Sequence, residues 1–421
     1  MGLTDVADRL WAGELSIDEA HPFSVLGEGE EVADGTVFVP SFANASGLLT
    51  DDGVVLVDTG SAPFAQHVHQ QVRRFSADRL HTAIYSHGHI DHVFGVGVFE
   101  DEAEAHGWPA PRVVAHEALP KRFDRYVLTA GFNTVINRRQ FQFGDDFHWP
   151  TSYRYPDLTY RETVDLEVGG LHLELHHGRG ETDDHTWTWV PERKVLCCGD
   201  LFIWASPNAG NPQKVQRYPK EWAEALRQML LLEPEVLLPG HGWPLLGADR
   251  VREALTDTAD LLDHLHDETV RLMNEGASLD DIVHTVRAPQ HLLDKPYLRP
   301  VYDEPEFVVR STWRLYGGWW DGDPSHLKPA QAGVLAAELA ALAGGADVLA
   351  RRALELDDLR LAGHLAELAV QADPDSRAAH AARAEVNRRR VAAEASTMSK
   401  GVFAWAARES EARAGTSDRD T

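Results

Sequence analysis

The chain contains few cysteines. Only two of its 421 residues are cysteine, and these two, Cys197 and Cys198, are adjacent. Neighbouring cysteines rarely reach disulfide geometry and would close no loop, so no disulfide framework is expected to hold the fold together. We therefore interpret both thiols as core residues of a protein from a reducing compartment.

The chain is also short of positive charge. Lysine and arginine number 40 against 66 aspartate and glutamate, which gives a formal net charge of −26. A field of that sign repels phosphate backbones and anionic lipid, which argues against nucleic-acid and membrane partners. No run of about 18 apolar residues occurs, and the acidic N-terminal segment is unlike a secretory signal. The sequence predicts a cytoplasmic protein.

Strand and helix patterns alternate over the first part of the chain. Apolar runs at 53–57 and 81–86 have strand composition, and Asp51-Asp52-Gly53 is a hairpin signal. Helical spacing of apolar residues takes over further along. These patterns predict a layered α/β domain over 1–250, a helical domain over 251–408 and a loose tail over 409–421.

One short segment carries four potential metal ligands. His87, His89, Asp91 and His92 follow an apolar strand in the sequence Ser-His-Gly-His-Ile-Asp-His. Histidines two apart on an extended backbone project to the same side, so His87 and His89 can share one ion. Asp91 and His92, just past the strand end, can turn toward a second ion. The segment predicts a dinuclear metal site.

Further ligands are expected at strand ends downstream. Asp200 ends the run Leu-Cys-Cys-Gly-Asp, where its carboxylate could bridge two ions. His241 ends another strand between glycines that allow a close approach. Glu181 and His185, both in the segment 178–185, compete for one remaining ligand position. The residues alone leave that choice open.

Together these motifs resemble those of the metallo-β-lactamase superfamily. The segment 87–92 is preceded by a strand ending Asp-Thr-Gly and followed by Gly-Glu-Thr-Asp-Asp-His, Cys-Cys-Gly-Asp and Pro-Gly-His-Gly, in the order and spacing of that superfamily. The resemblance implies an αββα sandwich that holds two metal ions between its sheets. It places Glu181 at a ligand position where most members have histidine, which is typical of the alkylsulfatase branch.

The second half of the chain resembles the same branch. The segments 265–283, 316–327 and 344–374 are similar to the dimerisation domain that follows the catalytic domain of alkylsulfatases. The resemblance therefore implies a metallo-β-lactamase sandwich followed by an all-α dimerisation domain. It also implies that the protein works as a homodimer.

The resemblance further implies how the ligands divide between two zinc ions per subunit. The first ion would be held by His87, His89 and Glu181, the second by Asp91, His92 and His241, and both by the bridging Asp200. Asp91 is also expected to take part in catalysis, and Asp58 to orient a ligand histidine. For His185 two roles remain open, a general acid or a support for a ligand.

The chain departs from the alkylsulfatase pattern where sulfate is held. The family's bridging glutamate is Asp200 here, the arginine that should follow Asn208 is missing, and Phe141 stands at the place of a tyrosine. Anion binding would then rest on other cations. The substrate contacts expected from the sequence are Arg139, Asn208, Lys214 and Arg217.

These observations lead to three hypotheses about function. The first is a zinc-dependent hydrolase that cleaves a small or medium alkyl sulfate ester with a metal-bridging hydroxide, because paired zinc ions acidify a shared water. The second keeps the centre but takes a carboxylic ester, lactone or phosphoester, which the missing arginine favours. The third is an iron-dependent oxidoreductase. The expected partners are a small-molecule ester substrate and a second copy of the chain.

Overall fold

A computed structural model describes residues 2–24 and 26–415 of the chain. The chain forms two compact units, of which the first comprises residues 1–130, 150–277 and 281–316, and the second comprises 131–149, 278–280 and 317–421. A long helix, 248–274, runs through the boundary predicted at residue 250, which stays a prediction. The last helix ends at Ala414, inside the predicted tail, and the rest of that tail from residue 416 onward lies outside the described residues.

The first unit contains two mixed β-sheets. The described strands of the first sheet are β1 (Glu30–Ala33), β2 (Thr36–Val39), β3 (Ala45–Thr50), β4 (Gly53–Val57), β5 (Leu80–Ile84), β6 (Arg112–His116) and β7 (Leu158–Tyr160). They lie side by side in chain order. The pairs from β1 to β4 are antiparallel and those from β4 to β7 are parallel.

The described strands of the second sheet are β8 (Thr163–Val168), β9 (Leu171–His177), β10 (Thr186–Val190), β11 (Val195–Ile203), β12 (Val236–His241) and β13 (Leu245–Leu246). They lie in the order β13-β12-β11-β10-β9-β8. Their pairs are antiparallel except β11 with β12, which is parallel and sets Gly199 opposite Pro239. This register brings the strands that carry Asp200 and His241 side by side.

The described helices are α1 (Leu3–Trp11), α2 (Ala65–Arg73), α3 (Val96–His106), α4 (Leu119–Leu128), α5 (Ala130–Phe141), α6 (Pro219–Leu230), α7 (Ala248–Asn274), α8 (Leu279–Thr285), α9 (Gln290–Leu293), α10 (Pro305–Gly317), α11 (Pro324–Leu327), α12 (Ala332–Ala343), α13 (Ala346–Glu355), α14 (Leu359–Ala372), α15 (Arg377–Ala393) and α16 (Thr397–Ala414). Those from α11 onward belong to the second unit, where a small alanine-rich core joins α12 to α15. No single described helix is long and apolar enough to span a membrane, although the bent pair α12 and α13 meets that test together.

The predicted hairpin at Asp51-Asp52-Gly53 is confirmed. Thr50 pairs with Gly53 across the turn between β3 and β4. Gly53 has φ of 121°, and a side chain there would approach the carbonyl oxygen of Arg79 to 2.5 Å. Only glycine fits this turn without strain.

Helices cover the first sheet through a continuous aliphatic core. Buried side chains of β2 to β6 pack with Val68 and Val72 of α2, Phe99 of α3 and Phe123 of α4. The strands that supply this core are rich in valine, leucine and isoleucine, which suits a sheet buried on both faces. The α/β architecture predicted from the sequence, followed by a helical region, is confirmed.

Asn44 connects the two sheets at the end that carries His241. Its backbone N–H donates to the carbonyl oxygen of Gly240 at 2.7 Å. Its side-chain Nδ2 donates to the carbonyl oxygens of Pro239 and Gly242, each at 3.1 Å. Since these groups are buried, the amide of Asn44 satisfies two carbonyls that water cannot reach.

We expect Asn44→Ala to lower the free energy of unfolding by about 1–3 kcal/mol, because it leaves two buried carbonyl groups without a donor. Urea unfolding of the metal-free protein would measure the change. Asn274→Ala, at the exposed end of α7, is the matched control and should be neutral. Equal stability of both variants would contradict the role of Asn44.

Candidate metal centre

The first group of potential metal ligands consists of His87, His89, Glu181 and Asp200. One ligand atom of each lies within 4.8 Å of those of the others. Glu181 Oε2 is 3.4 Å from both His87 Nε2 and His89 Nδ1. The four residues come from the loop after β5, the loop before β10 and strand β11, so the site forms only when the two sheets meet.

The second group consists of Asp91, His92 and His241, whose ligand atoms again lie within 4.8 Å of one another. Asp91 Oδ2 is 3.5 Å from His241 Nε2 and 3.7 Å from His92 Nε2. His241 ends β12, on the far side of β11 from the loop that carries Glu181.

Asp200 lies between the two groups. Its Oδ1 is 3.5 Å from His92 Nε2, and its Oδ2 is 3.4 Å from His241 Nε2 and 3.8 Å from His87 Nε2. A side chain at Gly240 would overlap Asp200 Oδ1, which explains the glycine before His241. The structure thus brings all seven predicted ligands together, with Asp200 in contact with members of both groups.

Asp58 holds the loop after β5 in place. It has φ of 60°, an uncommon value for a residue with a side chain. Its carboxylate accepts hydrogen bonds from the backbone N–H of Ser86, from the Ser86 hydroxyl and from His92 Nδ1, at 2.7, 2.7 and 2.8 Å. This contact with His92 turns the Nε2 of that histidine toward the site.

Two other histidines are oriented in the same way. His241 Nδ1 donates to the carbonyl oxygen of Phe42 at 2.5 Å. His87 Nδ1 is 3.0 Å from the Ser86 hydroxyl, which accepts because it already donates to Asp58. In each case the outer ring nitrogen is occupied and Nε2 faces the other ligands.

Asn208 and Arg217 both contact Oε1 of Glu181, the carboxylate oxygen that faces away from the ligand histidines. Asn208 Nδ2 donates to Glu181 Oε1, and Arg217 Nη1 lies 2.9 Å from the same atom and donates to the Glu181 carbonyl oxygen at 2.5 Å. All three side chains are buried. The other oxygen, Oε2, therefore points at His87 and His89.

Three buried ligand atoms have no hydrogen-bond partner among the described residues, namely His92 Nε2, Glu181 Oε2 and Asp200 Oδ1. A buried polar atom without a partner costs about 1–3 kcal/mol. Divalent cations would satisfy all three. Imidazole nitrogen and carboxylate oxygen form the donor set that zinc accepts, so the residues present fit a metal ion in each group.

The buried carboxylates favour positive charge in this pocket. Burial alone would lower the pKa of His241, but Asp200 and Asp91 outweigh it and raise the pKa to about 9. Burial would likewise raise the pKa of Asp91, but His92 and His241 lower it to about 2. Negative charge concentrated out of water favours a bound cation.

Family models match both halves of the chain. The model described as "Metallo-beta-lactamase superfamily" matches residues 39–241, which include all seven ligands. The model described as "Alkyl sulfatase dimerisation" matches residues 278–413. Residues 39–241 therefore form a metallo-β-lactamase-like domain. This domain is followed by an alkyl sulfatase dimerisation domain.

Several curated relatives of the chain are alkylsulfatases. A linear primary-alkylsulfatase of Pseudomonas sp. (strain ATCC 19151) is 29% identical over 80% of this chain and 68% of its own length. An (R)-specific secondary-alkylsulfatase of Pseudomonas sp. is 28% identical over 82% of this chain and 56% of its own length. An alkyl/aryl-sulfatase of Saccharomyces cerevisiae is 26% identical over 70% and 50%. The chain thus spans between half and about two thirds of these relatives.

A solved structure shares the fold. The stereoselective inverting sec-alkylsulfatase Pisa1 from Pseudomonas sp. aligns over 94% of this chain and 67% of its own, with a TM-score of 0.81 and 24% identity. The metallo-β-lactamase domain and the helical region of this chain therefore have the architecture of that protein.

His185 lies beside the ligands of the metallo-β-lactamase domain but belongs to neither group. Its ring stacks on His87 at 4.9 Å, and its Nε2 accepts a hydrogen bond from the backbone N–H of Asp200 at 3.1 Å. Burial lowers the pKa of His185 to about 4. This geometry favours Glu181 as the ligand, and for His185 it favours the support of Asp200 over the donation of a proton.

The four expected substrate contacts have different surroundings. Asn208 and Arg217 contact Glu181, as described above. Lys214 lies on the loop between β11 and α6, and burial together with Arg217 lowers the pKa of its amine to about 7, against the opposing effect of Asp91 and Glu181. Arg139 lies on α5 and belongs to the second compact unit, so its substrate contact stays a prediction.

Sequence reasoning missed three residues around the centre. Phe23 stacks on His241 and on Tyr302, with ring centroids 4.4 and 4.2 Å apart. Burial and the carboxylates of Glu181 and Asp91 raise the pKa of the Tyr302 phenol. Asp303 accepts backbone hydrogen bonds from Gly210 at 2.6 Å and fixes the loop after Asn208. These residues come from segments with no ligand motif, so no pattern pointed to them.

We expect Glu181→Ala to lose bound metal far more readily than His185→Ala, because only Glu181 places a free oxygen between two ligand histidines. Elemental analysis after dialysis against a weak chelator would compare the variants. Both should unfold cooperatively, which circular dichroism would check. Greater metal loss in His185→Ala would transfer the ligand role to the histidine.

Proposed function

We propose that this protein is a metal-dependent hydrolase of alkylsulfatase type that cleaves a small or medium alkyl sulfate ester. The observation that carries the proposal is the position of Asp200, which reaches ligands of both groups at 3.4 to 3.8 Å. Relatives with the names of linear primary and (R)-specific secondary alkylsulfatases support the substrate class.

Two zinc ions per subunit are part of the proposal. The first would be held by His87, His89 and Glu181, the second by Asp91, His92 and His241, and Asp200 would bridge them. When bound, such ions lower the pKa of water toward neutrality and so supply hydroxide for attack on an ester. The buried unpaired atoms of His92, Glu181 and Asp200 support this assignment.

The protein's own residues orient this chemistry. Asp58, Phe42 and Arg217 keep the inward ligand atoms of His92, His241 and Glu181 in place, which limits the reorganisation needed as charge develops. The ring of Phe23 packs against His241, and the ring of Tyr302 stacks on the ring of Phe23.

Lys214 is the cation that we assign to the anionic group of the substrate. Arg217 already uses its Nη1 to hold Glu181. Lys214 lies close enough to Asp91 and Glu181 for their charges to act on its amine. An ammonium group there would contact a sulfate oxygen or the leaving alkoxide.

A second candidate function is hydrolysis of a carboxylic ester, lactone or phosphoester by the same residues. The engagement of Arg217 by Glu181 favours it, since it removes one cation that a sulfate group would use. The third hypothesis, an iron-dependent oxidoreductase, is tested by elemental analysis of the purified protein for iron and zinc.

Dimer formation and a cytoplasmic location complete the proposal. The dimerisation family model over residues 278–413 supports a homodimer. The free buried thiols Cys197 and Cys198 are compatible with a reducing compartment. Size-exclusion chromatography with light scattering would test the dimer.

The decisive experiment compares sulfate release and carboxylic acid release from alkyl sulfate and alkyl acetate esters of matched chain length. We expect the zinc-loaded protein to prefer the sulfate ester, and Asp200→Ala to lower its turnover by at least about 100-fold. Asp145→Ala, at an exposed position, should leave turnover unchanged. Preference for the acetate ester would favour the second candidate.

We expect Lys214→Met to reduce kcat/KM for the sulfate ester by about 10- to 100-fold, as the loss of a charged contact of about 1.5–3 kcal/mol implies. The acetate ester, which carries no charge, should be affected less. Lys220→Met is the control, because Lys220 pairs with Asp263 on α7. An equal loss on both esters would remove Lys214 from anion recognition.

A further inference from the structure

Asp184 connects the two loops that supply the first group of ligands. Its Oδ2 accepts the backbone N–H of Gly88 at 3.0 Å, and its Oδ1 accepts Arg122 Nε at 2.6 Å. Asp184 is fully buried and Arg122 is 3% exposed. Gly88 stands between His87 and His89, and Asp184 follows Glu181 by three residues.

Arg122 also packs directly beneath Gly88. A side chain at Gly88 would lie 2.7 Å from Arg122 Cδ and 3.2 Å from Asp184 Oδ2. Glycine between the two histidines is therefore required by the arginine that approaches it. The loop that carries Gly88 therefore packs closely against Arg122 of α4.

The positive charge of Arg122 is paired with the carboxylate of Asp184. Burial would raise the pKa of Asp184, but the guanidinium of Arg122 outweighs it and lowers the pKa below its usual value. Asp184 is therefore a carboxylate that accepts the Gly88 N–H, and Arg122 is neutralised without help from a substrate. A buried ion pair with both partners hydrogen-bonded is costly to break from one side, because the remaining charge is left buried and unpaired.

The second group of ligands is held by other contacts. His92 is fixed by Asp58, and His241 by the Phe42 carbonyl. Neither contact involves Arg122 or Asp184. Asp58 supports both groups, because it also reaches His87 through the Ser86 hydroxyl, whereas Asp184 bonds the Gly88 loop of the first group. Damage to the contact between Arg122 and Asp184 should therefore act mainly on one metal position.

We propose that Arg122 and Asp184 form a positioning pair for one of the two metal positions, the one lined by His87, His89 and Glu181. The inference rests on the proposed dinuclear function and assigns neither residue a step in bond cleavage. It predicts that loss of the pair makes the two positions unequal in affinity.

The test is zinc binding to the full chain, measured by competition with a chromophoric chelator. Asp184→Asn should weaken one of two zinc equivalents by about 10-fold or more and leave the other within about 3-fold, since outer partners of ligands contribute on that scale. Gly88→Ala, which presses against Arg122, should produce the same selective loss independently. Circular dichroism of the metal-free variants checks that each is folded.

Asp183→Asn is the matched control. Asp183 also contacts Arg122, but its side chain is 39% exposed, and the Gly88 N–H donates to Asp184 instead. Both equivalents should keep the affinity of the parent chain within about 3-fold.

Two double variants identify which metal position is weakened. Asp184→Asn should weaken the zinc that remains in His241→Ala but not the zinc that remains in His89→Ala. Equal weakening of both positions, or no change in either, would overturn the proposal. Failure of the parent chain to bind two equivalents would instead refute the dinuclear function before any variant is compared, and the inference would fall with it.

Discussion

The site depends on holding several buried carboxylates and imidazoles within a few ångströms of one another. Asp200 lies within 3.8 Å of three histidines, and Glu181 within 3.4 Å of two. Removing such groups from water costs several kcal/mol per charge unless partners offset it. A bound metal cofactor would supply that offset for the inward-facing atoms, and protein groups supply it for the outward-facing atoms.

Each outer contact has a distinct source in the fold. The turn after β4 provides Asp58, the loop after β2 provides the Phe42 carbonyl, and the loop after β11 provides Asn208 and Arg217. Every one of these contacts fixes which ligand atom faces inward. A hydrolytic centre built in this way is preorganised, because little has to move when cations bind.

The pairing of buried charges also limits which cationic side chains could bind a substrate. Two buried guanidinium groups near the centre, those of Arg122 and Arg217, are already paired with Asp184 and Glu181. An anionic ester would therefore meet Lys214 rather than an arginine fork. An ammonium is a point charge and lacks the planar pair of donors with which arginine binds an anion. In the proposed function, the preference for charged or neutral esters therefore depends mainly on Lys214.

The seven candidate ligands could be predicted from the sequence alone. His87, His89, Asp91 and His92 are neighbours along the chain, and Asp200 and His241 end apolar strands, so local pattern was sufficient to predict them. The hairpin at Gly53 followed from turn chemistry in the same way. The resemblance to alkylsulfatases then indicated Glu181 over His185.

The side chains that hold those ligands in place became evident only from the folded chain. Asn208 and Arg217, which the sequence predicts as substrate contacts, are also found against Glu181. Arg122, Phe23, Tyr302 and Asp303 come from segments without any motif. Their roles arise from contacts between residues far apart in the chain, such as Arg122 with Asp184. Periodicity and spacing describe neighbours along the backbone, whereas a buried charge is paired by whatever the packed fold places beside it.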